Sequence, residues 1–149
     1  MRLVICRVEG AKLTIDGSVH AQIGKGLFCL LGMTEGDTEE KADLLIRKCV
    51  GMRIFSDEND KMNLSVKDID GEILVEPNFT LYANIRRGNR PDFFGAMNPN
   101  DANKLFEYFK KKLKESYPKV SFGVFGADMH TQVNMDGPVT IVADTGELS

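Results

Sequence analysis

The chain has 149 residues, of which 42% are hydrophobic, and a formal net charge of -3. This length predicts a single domain, residues 1–149, with its own core, and the charge is unlike the strongly basic footprint of many nucleic-acid-binding domains. No apolar run approaches the roughly 20 residues of a membrane-spanning helix, and Arg7 interrupts the N-terminal run, so we expect a cytoplasmic protein.

The cysteines and histidines give no sign of a disulfide or a metal site. Cys6, Cys29 and Cys49 lie far apart in apolar runs, which predicts reduced, buried thiols. His20 and His130 are the only histidines, and with these cysteines they form no metal-ligand spacing. We therefore expect no structural metal.

The first half of the chain is typical of short strands and one helix. Asp16-Gly17 is a two-residue hairpin signal. Asp37 is expected to cap the helix, with Glu40 completing a capping box. Apolar residues at helical spacing then predict its buried face: Ala42, Leu45, Ile46 and Cys49. The expected strands are residues 3–8, 12–15, 18–23, 27–31 and 53–55.

The second half contains a strand, a long loop, a helix and further strands. Residues 72–75 are expected to lead into a second strand-like segment, 79–82, with the hydroxyl of Thr80 just inside it. Residues 84–100 form a long polar loop, and loops of this length are often functional. A helix is expected over 101–117. Its apolar residues at helical spacing predict the buried face: Ala102, Leu105, Phe106, Phe109 and Leu113. Strands are expected to follow at 120–122, 131–134 and 139–143. The whole pattern predicts an α+β fold with a largely antiparallel sheet and two main helices.

Three groups of residues are candidates for chemistry, each with an ordinary structural alternative. Thr80 is either a nucleophile, which would need a neighbouring base, or simply a threonine that favours a strand. Gly137-Pro138 is most simply a turn. Phe125 and Met129 either fill the core or form an apolar slot for a ring.

Two basic clusters also stand out. Arg86, Arg87 and Arg90 lie in the long loop, where they could meet an anion. The other cluster falls on the second helix, and its simplest interpretation is a solvated helix face: Lys110, Lys111, Lys112 and Lys114.

The chain resembles the D-aminoacyl-tRNA deacylases over nearly its whole length. The matching motifs occur in order and at the expected spacing. They are Arg7-Val8, Ile23-Gly24-Lys25-Gly26-Leu27, Leu31-Gly32, Arg53-Ile54-Phe55, Lys61-Met62-Asn63-Leu64-Ser65, Phe79-Thr80-Leu81-Tyr82-Ala83, Gly88-Asn89-Arg90-Pro91, Phe125-Gly126-Ala127-Asp128-Met129 and Asp136-Gly137-Pro138-Val139-Thr140.

The resemblance implies a homodimeric hydrolase with a barrel-like core, without metal or organic cofactor. Its substrate would be the ester that joins a D-amino acid, or glycine, to the terminal adenosine of tRNA. Family members carry a cis peptide at the position of Gly137-Pro138, which reaches into the partner's site and excludes L-amino acids by steric clash. Phe125 and Met129 match positions that hold the adenine, and Arg7 matches an arginine beneath the Gly-Pro motif.

For catalysis, the resemblance places the oxyanion near the backbone N–H groups of Phe79 and Thr80. The ribose 2′-hydroxyl then helps to activate water, whereas an alternative account makes Thr80 the nucleophile. The chain departs from the family pattern at Pro77 and Asn78, where serine and glutamine are usual, and at Cys6 and Met135. These departures leave a divergent member acting on small L-aminoacyl esters, or a non-catalytic tRNA-binding paralogue, as alternatives.

Overall fold

One long N-terminal strand organises the sheet. In this computed structural model, which describes residues 1–149, β1 (Arg2–Ile15) pairs along one edge with β8 (His130–Asp144). Its other edge pairs first with β3 (Gly26–Gly32) and then with β2 (Ser18–Ile23), and all three pairings are antiparallel. Residues 3–8 and 12–15, expected as separate strands, are therefore one strand, and so are 131–134 and 139–143.

The sheet continues through two parallel pairings. β6 (Glu72–Pro77) lies beside β3, and β7 (Val120–Phe122) lies beside β6. The sheet curls until β7 approaches β2, where Nε2 of His20 lies 3.2 Å from the carbonyl oxygen of Phe122. The result is a mostly antiparallel, nearly closed barrel, as the sequence and the resemblance predicted. A small separate hairpin contains β4 (Phe55–Ser56) and β5 (Met62–Leu64). The strand expected at 53–55 therefore starts only at Phe55 and has two residues.

Two helices cover one face of the sheet. α1 (Glu39–Gly51) and α2 (Pro99–Ser116) bury the predicted apolar faces in a core cluster of 25 buried residues. A second cluster, of 7 buried residues, fills the barrel side of the sheet. Neither helix is long and apolar enough to cross a lipid bilayer.

The helix starts differ from those predicted. Thr38, not Asp37, is the N-cap residue of α1, because the carboxylate of Asp37 is used elsewhere. It accepts hydrogen bonds from the backbone N–H of Thr34 and the ammonium group of Met1, both at 2.7 Å. Helix α2 begins two residues before the predicted start, since Asn98 caps it and Pro99 suits its first turn.

The expected strand at 79–82 is wrong. β6 ends at Pro77, and Phe79–Tyr82 forms a 3-10 turn. The turn folds over the end of β3, where a Cβ atom on Gly32 would lie only 2.9 Å from the Cβ of Leu81. A strand continuing straight from β6 would leave the end of β3 uncovered, whereas the turn packs against it.

Candidate active site

A cavity of about 400 Å³ opens where β3 and β6 end. This volume lies within the range typical of small-molecule sites. Its walls are largely apolar and come from the end of β6 and the following turn, the segment before α2, the first turns of α2, and the loop after β7. The lining includes Pro77, Asn78, Phe79, Phe93, Ala102 and Phe125.

The end of β6 accommodates a proline without losing a sheet hydrogen bond. Pro77 is the last residue of β6 and lies opposite Leu31. The backbone N–H of the next residue, Asn78, donates to the carbonyl oxygen of Leu31 at 2.7 Å. Because that acceptor is satisfied, the missing N–H of Pro77 leaves no unpaired group here.

The Asn78 side chain holds the turn that follows. Its Oδ1 accepts hydrogen bonds from the backbone N–H of Thr80, at 3.2 Å, and from the Thr80 hydroxyl. The turn is closed by further bonds from Leu81 N–H to the Asn78 carbonyl and from Ala83 N–H to the Thr80 carbonyl. The N–H of Phe79 takes part in none of these bonds.

The structure places no base beside Thr80. Its hydroxyl donates to an amide oxygen, which is a poor proton acceptor. His130 contacts Asp128, and His20 contacts the carbonyl oxygen of Phe122. Thr80 therefore lies next to the cavity wall but lacks the activating partner that a nucleophile requires.

Phe125 and Met129 do not form one slot within this subunit. Phe125 lines the cavity and packs against Phe106, with ring centroids 6.4 Å apart. Met129 packs against the barrel-side core instead. Its sulfur would lie 2.6 Å from a Cβ atom on Gly123, so Met129 packs closely against the backbone just after β7.

Gly137 and Pro138 lie within β8, so the plain turn expected from the residues is wrong. The peptide bond between them is cis, in the form that the resemblance implies. Both residues are exposed, and neither lines the cavity of its own subunit.

Arg7 lies directly beneath this motif. Its Nε is 3.1 Å from a carboxylate oxygen of Asp136, and its Nη1 donates to the carbonyl of Ile54 at 2.8 Å. A Cβ atom on Gly137 would lie 3.3 Å from Nη2 of Arg7. The guanidinium thus joins the Gly-Pro segment to the start of β4.

A buried carboxylate near the end of β6 was missed from the sequence. Glu76 precedes Pro77, is only 6% exposed and accepts a hydrogen bond from the Thr131 hydroxyl. Burial raises the pKa of Glu76, and the Thr131 hydrogen bond partly opposes that rise. The alternation along β6 places its side chain on the barrel side, away from the cavity.

Known proteins match the chain throughout. The model of the family described as D-Tyr-tRNA(Tyr) deacylase matches residues 4–144. A solved structure described as "c-Myc DNA Unwinding Element Binding Protein" is 36% identical, with a TM-score of 0.91, over 97% of this chain and 98% of that one. A "probable eukaryotic D-amino acid tRNA deacylase" shares the fold at a TM-score of 0.79 and 15% identity, over 95% of this chain and 97% of that one. Since the family model covers nearly the whole chain, the protein belongs to the D-Tyr-tRNA(Tyr) deacylase family.

Proposed function

We propose that the protein hydrolyses the ester of D-aminoacyl-tRNA, and also that of glycyl-tRNA, releasing the free amino acid and reusable tRNA. This activity is chiral proofreading in translation. It would operate in the cytoplasm, and residues 1–149 would act as one domain. The observation that carries the proposal is the cavity at the end of β6, which is bounded by the family motif that begins at Phe79.

Hydrolysis of an ester passes through an oxyanion that needs hydrogen-bond donors. The backbone N–H groups of Phe79 and Thr80 are the donors we assign to it. The N–H of Phe79 is free of the turn's own hydrogen bonds, and that of Thr80 makes only a 3.2 Å bond to Asn78. One donor of this kind typically contributes about 10²–10³ in rate. Asn78 and Pro77 position the two donors.

Water is the attacking group in this proposal. Thr80 has no base, which argues against its acting as a nucleophile. The 2′-hydroxyl of the substrate's terminal ribose lies next to the ester and helps to activate the water. The protein then needs only to orient the ester and stabilise the oxyanion.

Phe125 would hold the terminal adenine by apolar contact and stacking, which do not read sequence. Met129 would have to turn away from Gly123 to contact the same adenine. Otherwise it would support the site from the barrel side of the sheet. Either arrangement suits an enzyme that takes many tRNAs, because every tRNA ends in the same adenosine.

Selection of D-amino acids is assigned to Gly137-Pro138 of a second copy of the chain. Both residues are exposed and are held from beneath by Arg7, so they can enter a neighbouring site. A group that blocks an L side chain rejects bulk on one side of the α-carbon. Glycine has no side chain to exclude, which is why we include glycyl-tRNA among the substrates.

A homodimer requires a surface for the second copy, and β8 offers one. Its pairing partner is β1, on one edge, and no strand pairs with its other edge. Large apolar side chains on β8 are exposed: Met135, Ile141 and Val142. An isologous dimer through this strand would cover them and bring each Gly137-Pro138 towards its partner.

Two observations favour other functions. Pro77 and Asn78 replace the serine and glutamine usual in the family, so the site could act on small L-aminoacyl esters instead. In addition, a relative with 36% identity is described as a DNA-unwinding-element-binding protein. A non-catalytic nucleic-acid-binding role is thus the second candidate.

The test is a deacylation time course with D-tyrosyl-, glycyl- and L-alanyl-tRNA side by side. The proposal predicts release of D-tyrosine and glycine while L-alanyl-tRNA stays intact. Release of L-alanine would instead assign the protein to an editing role on L-amino acids. Binding of tRNA without release of any amino acid would favour the non-catalytic role.

A further inference from the structure

A short hairpin projects from the rim of the cavity. Residues 84–92, the basic hairpin, are closed at their base by reciprocal hydrogen bonds between the backbones of Asn84 and Asp92, at 2.8 and 3.0 Å. The Asn84 side chain accepts from Arg86 N–H at 3.0 Å, and Gly88 supplies a positive φ of 136° at the tip. These contacts give the hairpin a defined shape.

The hairpin is joined directly to the cavity wall. Phe93, the residue after it, lines the cavity and packs edge-on against Phe79 with ring centroids 5.1 Å apart. The following segment is also fixed, because Ala96 N–H donates to the Phe93 carbonyl and Met97 N–H donates to the Met33 carbonyl, each at 3.0 Å. The hairpin is thus continuous with a fixed part of the cavity wall.

The three arginines of the hairpin have no anionic partner in the chain. Arg86, Arg87 and Arg90 are exposed, and none of their guanidinium groups forms a salt bridge or a side-chain hydrogen bond. The only acid in the hairpin, Asp92, uses its carboxylate to accept the Phe94 N–H at 3.3 Å. Three exposed guanidinium groups without an acidic partner are suited to binding phosphates.

Phe94 is the most exposed large apolar side chain in the protein. It is 93% exposed, although Phe93 packs against Phe79 and the carbonyl of Gly95 accepts a hydrogen bond from the Thr34 hydroxyl. Its own N–H donates to the Asp92 carboxylate. An exposed ring held on a rigid backbone next to free arginines is the arrangement that binds single-stranded nucleic acid, in which bases stack on aromatic rings while cations follow the backbone.

We propose that the basic hairpin and Phe94 bind the unpaired 3′ strand of the tRNA just upstream of the terminal adenosine. Phe94 stacks on one base of that strand, and Arg86, Arg87 and Arg90 contact its phosphates. This inference rests on the proposed function only for the identity of the strand. It adds a second binding element outside the cavity and assigns it the nucleotides that every tRNA shares.

Two substrates test the inference: D-tyrosyl-adenosine, which ends at the cavity, and a D-tyrosyl-CCA trinucleotide, which reaches the hairpin. The wild-type protein should have a higher kcat/KM for the trinucleotide. Phe94→Ala should reduce that advantage about tenfold, in keeping with the loss of one base–aromatic stack. Phe94→Tyr, which keeps the ring, should restore it. Met62→Ala removes another exposed apolar side chain outside both elements and serves as the matched control.

A binding measurement separates this inference from the catalytic one. The affinity for an uncharged, fluorescently labelled ACCA oligonucleotide does not require ester hydrolysis. Phe94→Ala should weaken it about tenfold, even if the protein proves to have no deacylase activity. Equal affinities of the wild type and Phe94→Ala would overturn the inference. A sedimentation rate that differs between Phe94→Ala and the wild type would also overturn it, because it would show that Phe94 is buried between two copies of the chain.

Discussion

The Thr80 hydroxyl donates a hydrogen bond to the side-chain oxygen of Asn78, and the same oxygen accepts one from the backbone N–H of Thr80. Asn78 therefore fixes both the side chain and the backbone of the residue that could have been a nucleophile. In the proposed mechanism the backbone N–H groups of Phe79 and Thr80 stabilise the oxyanion, and the Thr80 hydroxyl only supports the turn.

Replacing the hydroxyl should therefore have a limited effect. Thr80→Ala removes one hydrogen bond, so we expect kcat for D-tyrosyl-tRNA to fall by no more than about tenfold. Thr80→Ser is the matched control, since it keeps the hydroxyl. Single-turnover deacylation measures both. Total loss of activity in a Thr80→Ala protein that remains folded would show Thr80 to be the nucleophile.

Removing the Asn78 side chain should be more damaging. Asn78→Ala takes away the acceptor that holds the turn, with a loss in stability of about 1 kcal/mol, typical of a capping residue. The oxyanion donors would then be misplaced, and kcat should fall by about 10²-fold. Asn78→Ser keeps a side-chain acceptor and should retain more activity. If Asn78→Ala retained full activity, the turn would not position the donors.

Glu76 should make the stability depend on pH in an unusual direction. Burial raises its folded-state pKa above the unfolded value, so the folded state holds the proton more tightly. This contribution to stability is therefore present at low pH and is lost as the pH rises through the folded-state pKa. Glu76→Gln should raise the thermal midpoint at pH 7, with a smaller gain at pH values below the ordinary glutamate pKa.

The control for Glu76 is a carboxylate with the opposite shift. Hydrogen bonds from the backbone and hydroxyl of Ser65 lower the pKa of Asp68. Its contribution is present above the unfolded pKa and is lost as the pH falls. Asp68→Asn should thus lower the thermal midpoint at pH 7. The same sign of change in both variants would contradict this assignment.

Gly137 should tolerate no side chain. Its φ is +125°, and an added Cβ atom would lie 2.9 Å from the backbone nitrogen of Val139. Gly137→Ala should cost about 1–3 kcal/mol of stability in urea unfolding. Gly51→Ala, which meets nothing within 4 Å, is the control and should be neutral or stabilising. A stable Gly137→Ala protein would mean that β8 can relax at this point.

Salt dependence should separate the two basic clusters. Replacing Arg86, Arg87 and Arg90 together by alanine should make the plot of log affinity for tRNA against log salt concentration less steep by about 2. Each phosphate contact with a single strand contributes about 0.7 to this slope. The matched triple replacement of Lys111, Lys112 and Lys114 on α2 should leave the slope unchanged, since we assign them to a solvated face. A reversed result would place the tRNA along α2.

Local sequence signals predicted most of the fold. Apolar periodicity located both helices and their buried faces, and Asp16-Gly17 marked the first hairpin, where both residues have positive φ values. The errors have long-range causes. Asp37 binds the ammonium group of Met1, which only the folded chain brings near. Residues 79–82 turn because the end of β3 must be covered.

The candidate site was less accessible from the residues alone. Spacing could suggest Thr80 but not that Asn78 binds it, and the simplest interpretation of Gly137-Pro138 as a turn failed because β8 runs through it. Glu76 was missed because its partner, Thr131, is 55 residues away. The resemblance to the family predicted the cis peptide bond between Gly137 and Pro138, which spacing could not.

Selection of D-amino acids over L-amino acids is tested most directly by comparing D-tyrosyl and L-tyrosyl esters on the same tRNA. Initial rates of deacylation should be measured at equal enzyme concentration. We predict that the D ester is cleaved while the L ester survives unchanged over the same time. Cleavage of both esters at similar rates, or of the L ester alone, would contradict it.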